Sequence, residues 1–179
     1  MKFLTRPTAS VFALLLASTA SADPMIEEGN RELSLHISPD FEGAIGDTIF
    51  LEAGYGIFVR DGIVARATLS HTVLEDVAGE DTDYRTSEAA IVGEHHFDLG
   101  GKLVPYAGVG LGWRRTQFAD LDESALVYGP RLGLKYFVAD NVALDLEITY
   151  KFGAADVFIN DFQAEDTDLS SAVGFRVMF

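Results

Sequence analysis

The stretch Val142-Ala-Leu-Asp-Leu-Glu-Ile-Thr-Tyr-Lys-Phe152 decides the fold, because bulky apolar residues alternate along it with small or polar ones. The apolar set occupies every even position from Val142 to Phe152, while Asp145, Glu147 and Lys151 occupy odd positions. A helix would mix the two sets around its axis, whereas an extended strand places them on opposite faces. The stretch therefore predicts a β-strand with one apolar and one charged face.

Other segments of the chain repeat this period of two, some with interruptions. The predicted strands cover residues 32–38, 48–59, 63–72, 84–97, 102–115, 126–137, 142–152 and 169–179. Short connections at 60–62, 98–101 and 138–141 alternate with long ones at 39–47, 73–83, 116–124 and 153–168. An even number of strands, with short turns at one end and long loops at the other, is typical of transmembrane barrels. We predict an all-β fold, an eight-stranded antiparallel up-and-down transmembrane β-barrel.

The first residues indicate export. Lys2 and Arg6 precede a short apolar run at 11–17, and Ala20-Ser21-Ala22 supplies the small residues that a signal peptidase accepts. Such a short run cannot span a bilayer. We expect a cleaved signal peptide at 1–22, a short periplasmic segment at 23–30 and the barrel at 31–179.

Composition narrows the function classes. The formal charge of −15 disfavours binding to nucleic acid, and the hydrophobic content of 48% excludes a disordered chain. The chain has no cysteine, so neither disulfides nor thiolate zinc sites can form. Adjacent His95 and His96 point to opposite faces of a strand and cannot share one ion, so no metal site and no cofactor is expected.

Lumen size decides which face meets lipid. Eight strands enclose only enough space for side chains to fill. The apolar faces carry Trp113 and most of the tyrosines and phenylalanines of the predicted strands, whereas the polar faces carry glycines such as Gly110 and Gly133. A narrow lumen has room for glycine beside a few charged chains and no room for that many rings. The aromatic face should therefore point outward into lipid.

Three stretches of the chain, 105–113, 133–150 and the last strand at 174–179, carry a resemblance to a known family. In these stretches the chain resembles the small outer-membrane barrels of the OmpA, OmpX and OmpW types. It implies a bacterial outer-membrane protein whose partners are outer-membrane lipid and lipopolysaccharide and, during biogenesis, the barrel assembly machinery. The assembly signal that it implies consists of Val173, Phe175, Val177 and Phe179.

The inward faces carry charged residues whose role is open. The predicted lumen charge network comprises Glu52, Arg66, Arg114, Arg131, Lys135, Asp145, Glu147 and Arg176. We favour a plug of salt bridges, because an unpaired charge in a narrow lumen is costly. Arg131 and Lys135 should then lie near Asp145 and Glu147. The alternative is a gated ion path or an acid/base site.

Three functions remain in competition. We favour a non-catalytic, monomeric barrel with a structural or surface-interaction role, a plugged lumen and acidic loops that face the medium. The OmpW-type resemblance implies the alternative of a narrow channel for small or hydrophobic solutes. A lipid A hydrolase is the remote alternative, because Ser70 and His71 point to opposite faces and cannot form a catalytic pair. The acidic loops either solvate the surface or bind divalent cations.

Overall fold

The computed structural model describes residues 24–40, 48–74, 84–118, 121–160 and 163–179. The predicted signal peptide lies outside these ranges. The strands are β1 (Arg31–Asp40), β2 (Thr48–Arg60), β3 (Ile63–Leu74), β4 (Tyr84–His96), β5 (Leu103–Phe118), β6 (Leu121–Ala139), β7 (Val142–Gly153), β8 (Phe158–Asn160), β9 (Gln163–Glu165) and β10 (Thr167–Met178). No helix occurs among the described residues.

Eight of these strands close into one antiparallel barrel in the order β1-β10-β7-β6-β5-β4-β3-β2. The order is up-and-down, since each barrel strand pairs with its neighbours in sequence and β10 returns to pair with β1. The two remaining strands, β8 and β9, form a small hairpin between β7 and β10. The predicted fold class is confirmed.

The stagger of the strands can be read from their pairing. We start at Leu35 on β1 and step from each residue to its pairing partner on the next strand. Through β2, β3 and β4 these steps reach Trp113 on β5. Around the barrel in the other direction, through β10, β7 and β6, they reach Leu103 on the same strand. The end points differ by ten residues, 103 against 113, and this difference is the shear of the barrel. Eight strands with this shear tilt by roughly 40° and leave a bore that side chains can fill.

Burial alternates along the strands as the sequence predicts. On β7, Asp145, Glu147 and Lys151 are buried while Leu144 and Ile148 are exposed. Trp113 is 57% exposed and Phe179 is 52% exposed, so large rings cover the outside of the barrel. A soluble protein buries its apolar side chains in a core. In this barrel the apolar face points outward instead, where lipid covers it.

One long loop proposed from the sequence is wrong. The segment expected as a loop at 116–124 is mostly strand, because β5 runs to Phe118 and β6 starts at Leu121. The apolar alternation ends where the hairpin leaves the membrane, but backbone pairing continues in water. Arg115 supports it by donating two hydrogen bonds to Asp122 across the hairpin, at 2.9 and 2.7 Å. These hydrogen bonds also lower the pKa of the Asp122 carboxyl from its usual value.

Pro130 interrupts the ladder between β6 and β7. Pairing stops after Tyr128 and resumes at Arg131, without a change of register. Proline has no N–H to donate, which accounts for the gap. Gly129 lies so close to the carbonyl oxygen of Tyr150 that a Cβ would collide with it. Glycine is therefore needed where the two strands approach without regular pairing.

Candidate functional site

The candidate functional site is the lumen, where all eight residues of the predicted charge network meet. Seven of them are buried, and the side chain of Arg114 is 11% exposed. Each stands at a position whose strand neighbours face lipid, so the period of two directs it inward. The ion-pair partners of these residues, and the side chains packed at each end of the barrel, determine whether the lumen can pass a solute or bind an ion.

Arg176, near the end of β10, is the hub of the lumen. Its Nη1 donates to Glu32 and to Glu94 at 2.8 Å each, and its Nε donates to Asp145 at 2.6 Å. Its Nη2 donates to the hydroxyl of Tyr106 at 2.7 Å. One guanidinium thus joins side chains from four other strands. Such charge-assisted hydrogen bonds are stronger than neutral ones.

Tyr106 extends this hub across the bore. Its hydroxyl donates to Glu147 at 3.0 Å, and its ring lies 4.6 Å from the guanidinium carbon of Arg176. The ring covers Gly133 so closely that a Cβ there would overlap it. The glycine of one strand therefore makes room for the aromatic ring of the next.

Arg66 and Arg131 hold the remaining carboxylates of the central layer. Arg66 is hydrogen-bonded to Glu94 and lies 3.3 Å from Glu147. Arg131 lies 3.2 Å from Glu147 and 3.9 Å from Glu52. The expected contact between Arg131 and a carboxylate of β7 is therefore present.

Lys135 does not bind where the strand pairing led us to expect. It stands opposite Asp145 in the register, but its Nζ donates to Glu32 at 2.7 Å. Asp145 is already bound by Arg176 and by His36, each at 2.6 Å. Pairing of β6 with β7 alone could not reveal this arrangement, because the competing partners of Asp145 stand on β10 and β1, on its other flank.

A second layer lies nearer the loops. Lys151 donates to both carboxylate oxygens of Glu88, at 2.8 and 2.9 Å. Arg114 donates to the same carboxylate at 3.3 Å. A lumen cavity of about 10 Å³, lined by residues that include Glu88, Arg131 and Lys151, lies beside this layer. That is room for about one water molecule.

The lumen also contains seven polar residues beyond the eight of the predicted network. They are Glu32, His36, Glu88, Glu94, His96, Tyr106 and Lys151. The alternation of the sequence places all seven on the polar, inward faces. With them, the described lumen contains six carboxylates and six Arg or Lys side chains. The contents of the barrel are therefore neutral as a set, provided that the histidines are neutral.

An apolar cluster lies at the turn end of the barrel. Phe58, Val104, Phe137 and Met178 are buried there together with Ile26 from the segment that precedes β1. This segment is held by backbone hydrogen bonds, of which one joins the N–H of Gly62 to the carbonyl of Ile26 at 2.8 Å. The predicted segment at 23–30 therefore packs against the barrel in its described part.

A second apolar cluster lies at the loop end. Val157 and Phe158, from the start of the β8–β9 hairpin, are fully buried against Ala125 and Val127. Thr116 donates to the carbonyl oxygen of Val157 at 2.6 Å. Val157 and Phe158 thus pack inside the barrel mouth, with the guanidinium carbon of Arg114 4.6 Å from the centre of the Phe158 ring.

His36, Asp145 and Glu147 have ligand atoms close enough together to hold a metal ion. The electrostatics oppose it, because Arg176 lies 2.6 Å from Asp145 and 3.4 Å from Glu147. Arg66 lies 3.3 Å from Glu147 as well. A cation entering there would replace hydrogen bonds that the two arginines already make.

The outer face carries the other candidate residues. The predicted assembly signal lies on β10, where Val173, Phe175 and Phe179 are exposed and Val177 is half-buried. Nearer the loops, Nδ1 of His71 lies 3.0 Å from the hydroxyl of Ser87 on the next strand. Sequence reasoning missed this pair, because the two residues belong to different strands.

Family comparison agrees with this geometry. The family model described as outer membrane protein beta-barrel domain matches residues 10–179. The chain belongs to this family. It is accordingly a protein of the bacterial outer membrane, as the resemblance implied. No curated protein sequence matches the chain.

Solved structures of small barrels share its fold. Neisserial surface protein A (NspA) is 16% identical with a TM-score of 0.58, and the match covers 84% of this chain and 95% of that one. OprG from Pseudomonas aeruginosa is 12% identical with a TM-score of 0.57, over 89% and 99% of the two chains. Ail, the attachment invasion locus protein of Yersinia pestis, is 14% identical with a TM-score of 0.52, over 85% and 99%.

The hub predicts a large effect of a single substitution. Arg176→Met keeps the bulk of the side chain but removes the Arg partner of Asp145 and one of the two cations hydrogen-bonded to each of Glu32 and Glu94. We expect the free energy of unfolding to fall by about 3–5 kcal/mol, or the barrel to fail to fold. Urea unfolding in lipid vesicles, followed by the fluorescence of Trp113, measures the change.

Arg115→Met is the matched control, because the Arg115 side chain is exposed and forms its ion pair in water. Its unfolding midpoint should equal that of the parent. Equal midpoints for the parent and Arg176→Met would contradict the role of Arg176 as the hub.

Proposed function

We propose that this outer-membrane protein is a non-catalytic barrel with a closed lumen, which acts through its acidic extracellular surface. The observation that carries the proposal is the neutral set of six cations and six carboxylates, sealed by an apolar cluster at each end. The protein would then anchor its loops at the cell surface rather than pass solutes.

The energetics of the lumen support this proposal over a channel. An open path would have to separate ion pairs such as Arg176–Asp145 and Lys151–Glu88, which the structure holds at 2.6 and 2.8 Å. It would also have to displace Phe158 from the mouth and Phe58 from the turn end. Breaking one buried pair costs several kcal/mol, so spontaneous opening would be rare.

The charge of the loops indicates the chemistry of a partner. The segments 39–47, 75–83, 116–124 and 154–168 contain sixteen Asp and Glu residues and no Lys or Arg. The Yersinia protein Ail has a structure in complex with the heparin analogue sucrose octasulfate. Loops without cations would repel such a polyanion, so we propose a cationic partner surface for the present chain.

The geometry at His71 supports the absence of catalysis. A hydrolytic Ser–His pair needs a carboxylate that orients the histidine. Among the described residues, no carboxylate contacts His71, and its one hydrogen bond is to Ser87. Ser70 points to the opposite face of β3 and cannot replace Ser87.

The closed lumen predicts silence in planar bilayers. The parent protein and Arg131→Ala should both lack discrete conductance steps, because the remaining charges and both apolar clusters still fill the bore. A conducting porin added to the same membrane verifies that insertion is detectable. Openings in the parent that Arg131→Ala alters would show instead that the lumen charges line a channel.

The absence of catalysis predicts that fatty-acid release from diacyl lipid vesicles stays at the level of protein-free vesicles. Ser87→Ala and His71→Ala should give the same result as the parent. Release by the parent that both substitutions abolish would establish a hydrolase and refute this part of the proposal. Mass spectrometry of the vesicle lipids measures the release.

A further inference from the structure

A groove interrupts the lipid-facing surface over β2 to β5. Its floor is formed by small side chains, Ala53, Ala67 and Ala89, and its walls by larger ones such as Tyr55 and Trp113. The groove measures about 780 Å³ and its lining is almost entirely apolar. We call it the alanine groove.

Strand register explains why the groove is continuous. Ala67 stands opposite Tyr55 on one neighbouring strand, and Ala89 stands opposite Trp113 on another. Ala53 and Ala89 both stand opposite Leu69 on β3. Ala67 precedes Leu69 by two residues on the same face and so lies diagonal to both Ala53 and Ala89. The three alanines therefore form one depression that bends around Leu69.

A polar row borders the groove on the side of the loops. His71, Ser87 and Arg115 are paired residues on three adjacent strands, one step beyond the row of Leu69, Ala89 and Trp113. The hydrogen bonds of Arg115 to Asp122 use Nε and Nη2. Among the described residues no hydrogen bond occupies Nη1 of the same guanidinium, which can therefore donate to a second acceptor.

The distribution of cations singles out this border. The thirteen Lys and Arg residues of the chain lie in the lumen, at the turn end or in the first 22 residues, with two exceptions. These exceptions are Arg85 and Arg115, which stand on the outer face at the loop end of β4 and β5. On an otherwise acidic extracellular side, both outer cations lie above the alanine groove.

We infer that the alanine groove binds one acyl chain of an outer-leaflet lipid whose phosphate headgroup carries a net negative charge, with the phosphate at Arg115 beside His71 and Ser87. The apolar groove matches the chain, and the cation and hydroxyl at its border match the anionic headgroup. The acidic loops elsewhere would repel the same headgroup. This inference depends on the membrane location alone and not on the closure of the lumen or on the loop partner.

Trp113 provides the probe, because it is the only tryptophan of the chain and lines the groove. The protein is refolded in phosphatidylcholine vesicles that contain a small fraction of lipid with brominated acyl chains. The brominated lipid is either phosphatidic acid or phosphatidylcholine with the same chains. Quenching of Trp113 then gives the association constant of each lipid at the groove relative to the bulk lipid.

We expect brominated phosphatidic acid to associate on the order of fivefold more strongly than brominated phosphatidylcholine, which corresponds to one cation–phosphate contact. Arg115→Gln should reduce this ratio to near one, whereas Arg60→Gln at the opposite end of the barrel should preserve it. Ala67→Phe fills the groove and should lower the quenching by both lipids. Ala107→Phe, outside the groove, should leave both unchanged.

Three outcomes would overturn the inference. They are equal association of the two lipids in the parent, a ratio that Arg115→Gln leaves intact, and shielding of Trp113 from both brominated lipids. The last would indicate that a second copy of the chain covers the groove. Folding of each variant is verified by the change of gel mobility on boiling, and conductance remains an independent readout for the lumen.

Discussion

Pairing of β1 with β10 is the constraint on which the rest of the structure depends. The bilayer interior offers no water to unpaired backbone groups, so a sheet in lipid must close on itself. Closure through pairs such as Leu35–Phe175 sets eight strands and a shear of ten residues. These two integers fix the bore, and the bore in turn decides that rings face lipid while glycine and charged chains face inward.

A narrow bore makes neutrality a requirement for the inward side chains. Arg176 shows how it is met, since one guanidinium serves carboxylates from several strands together with Tyr106. The apolar clusters around Phe58 and Phe158 lie beyond the ionic layers at the two ends of the barrel. The excess of Asp and Glu over Lys and Arg therefore lies in the loops. The two outer cations, Arg85 and Arg115, stand above the alanine groove.

Period-two patterning predicted the strands, the inward charges and the outward rings, because each depends on one strand at a time. It failed where side chains of different strands meet. Lys135 binds Glu32 instead of its paired Asp145, and His71 meets Ser87 across a ladder that one sequence does not reveal. The extension of the β5–β6 hairpin through residues 116–124 was also missed, because strands that extend into water lose the apolar signal while keeping their hydrogen bonds. The packing of Phe158 into the mouth depends on a loop that has no periodicity.

The lack of cysteine in the chain allows a direct test of whether water fills the lumen. Thr149→Cys places a thiol beside the lumen cavity, and Ser124→Cys places one on the exposed part of β6. Both variants, folded in vesicles, are treated with a membrane-impermeant thiol reagent. A sealed lumen predicts rapid modification at position 124 and none at position 149 until the barrel is unfolded. Comparable rates at the two positions would contradict a filled, closed barrel.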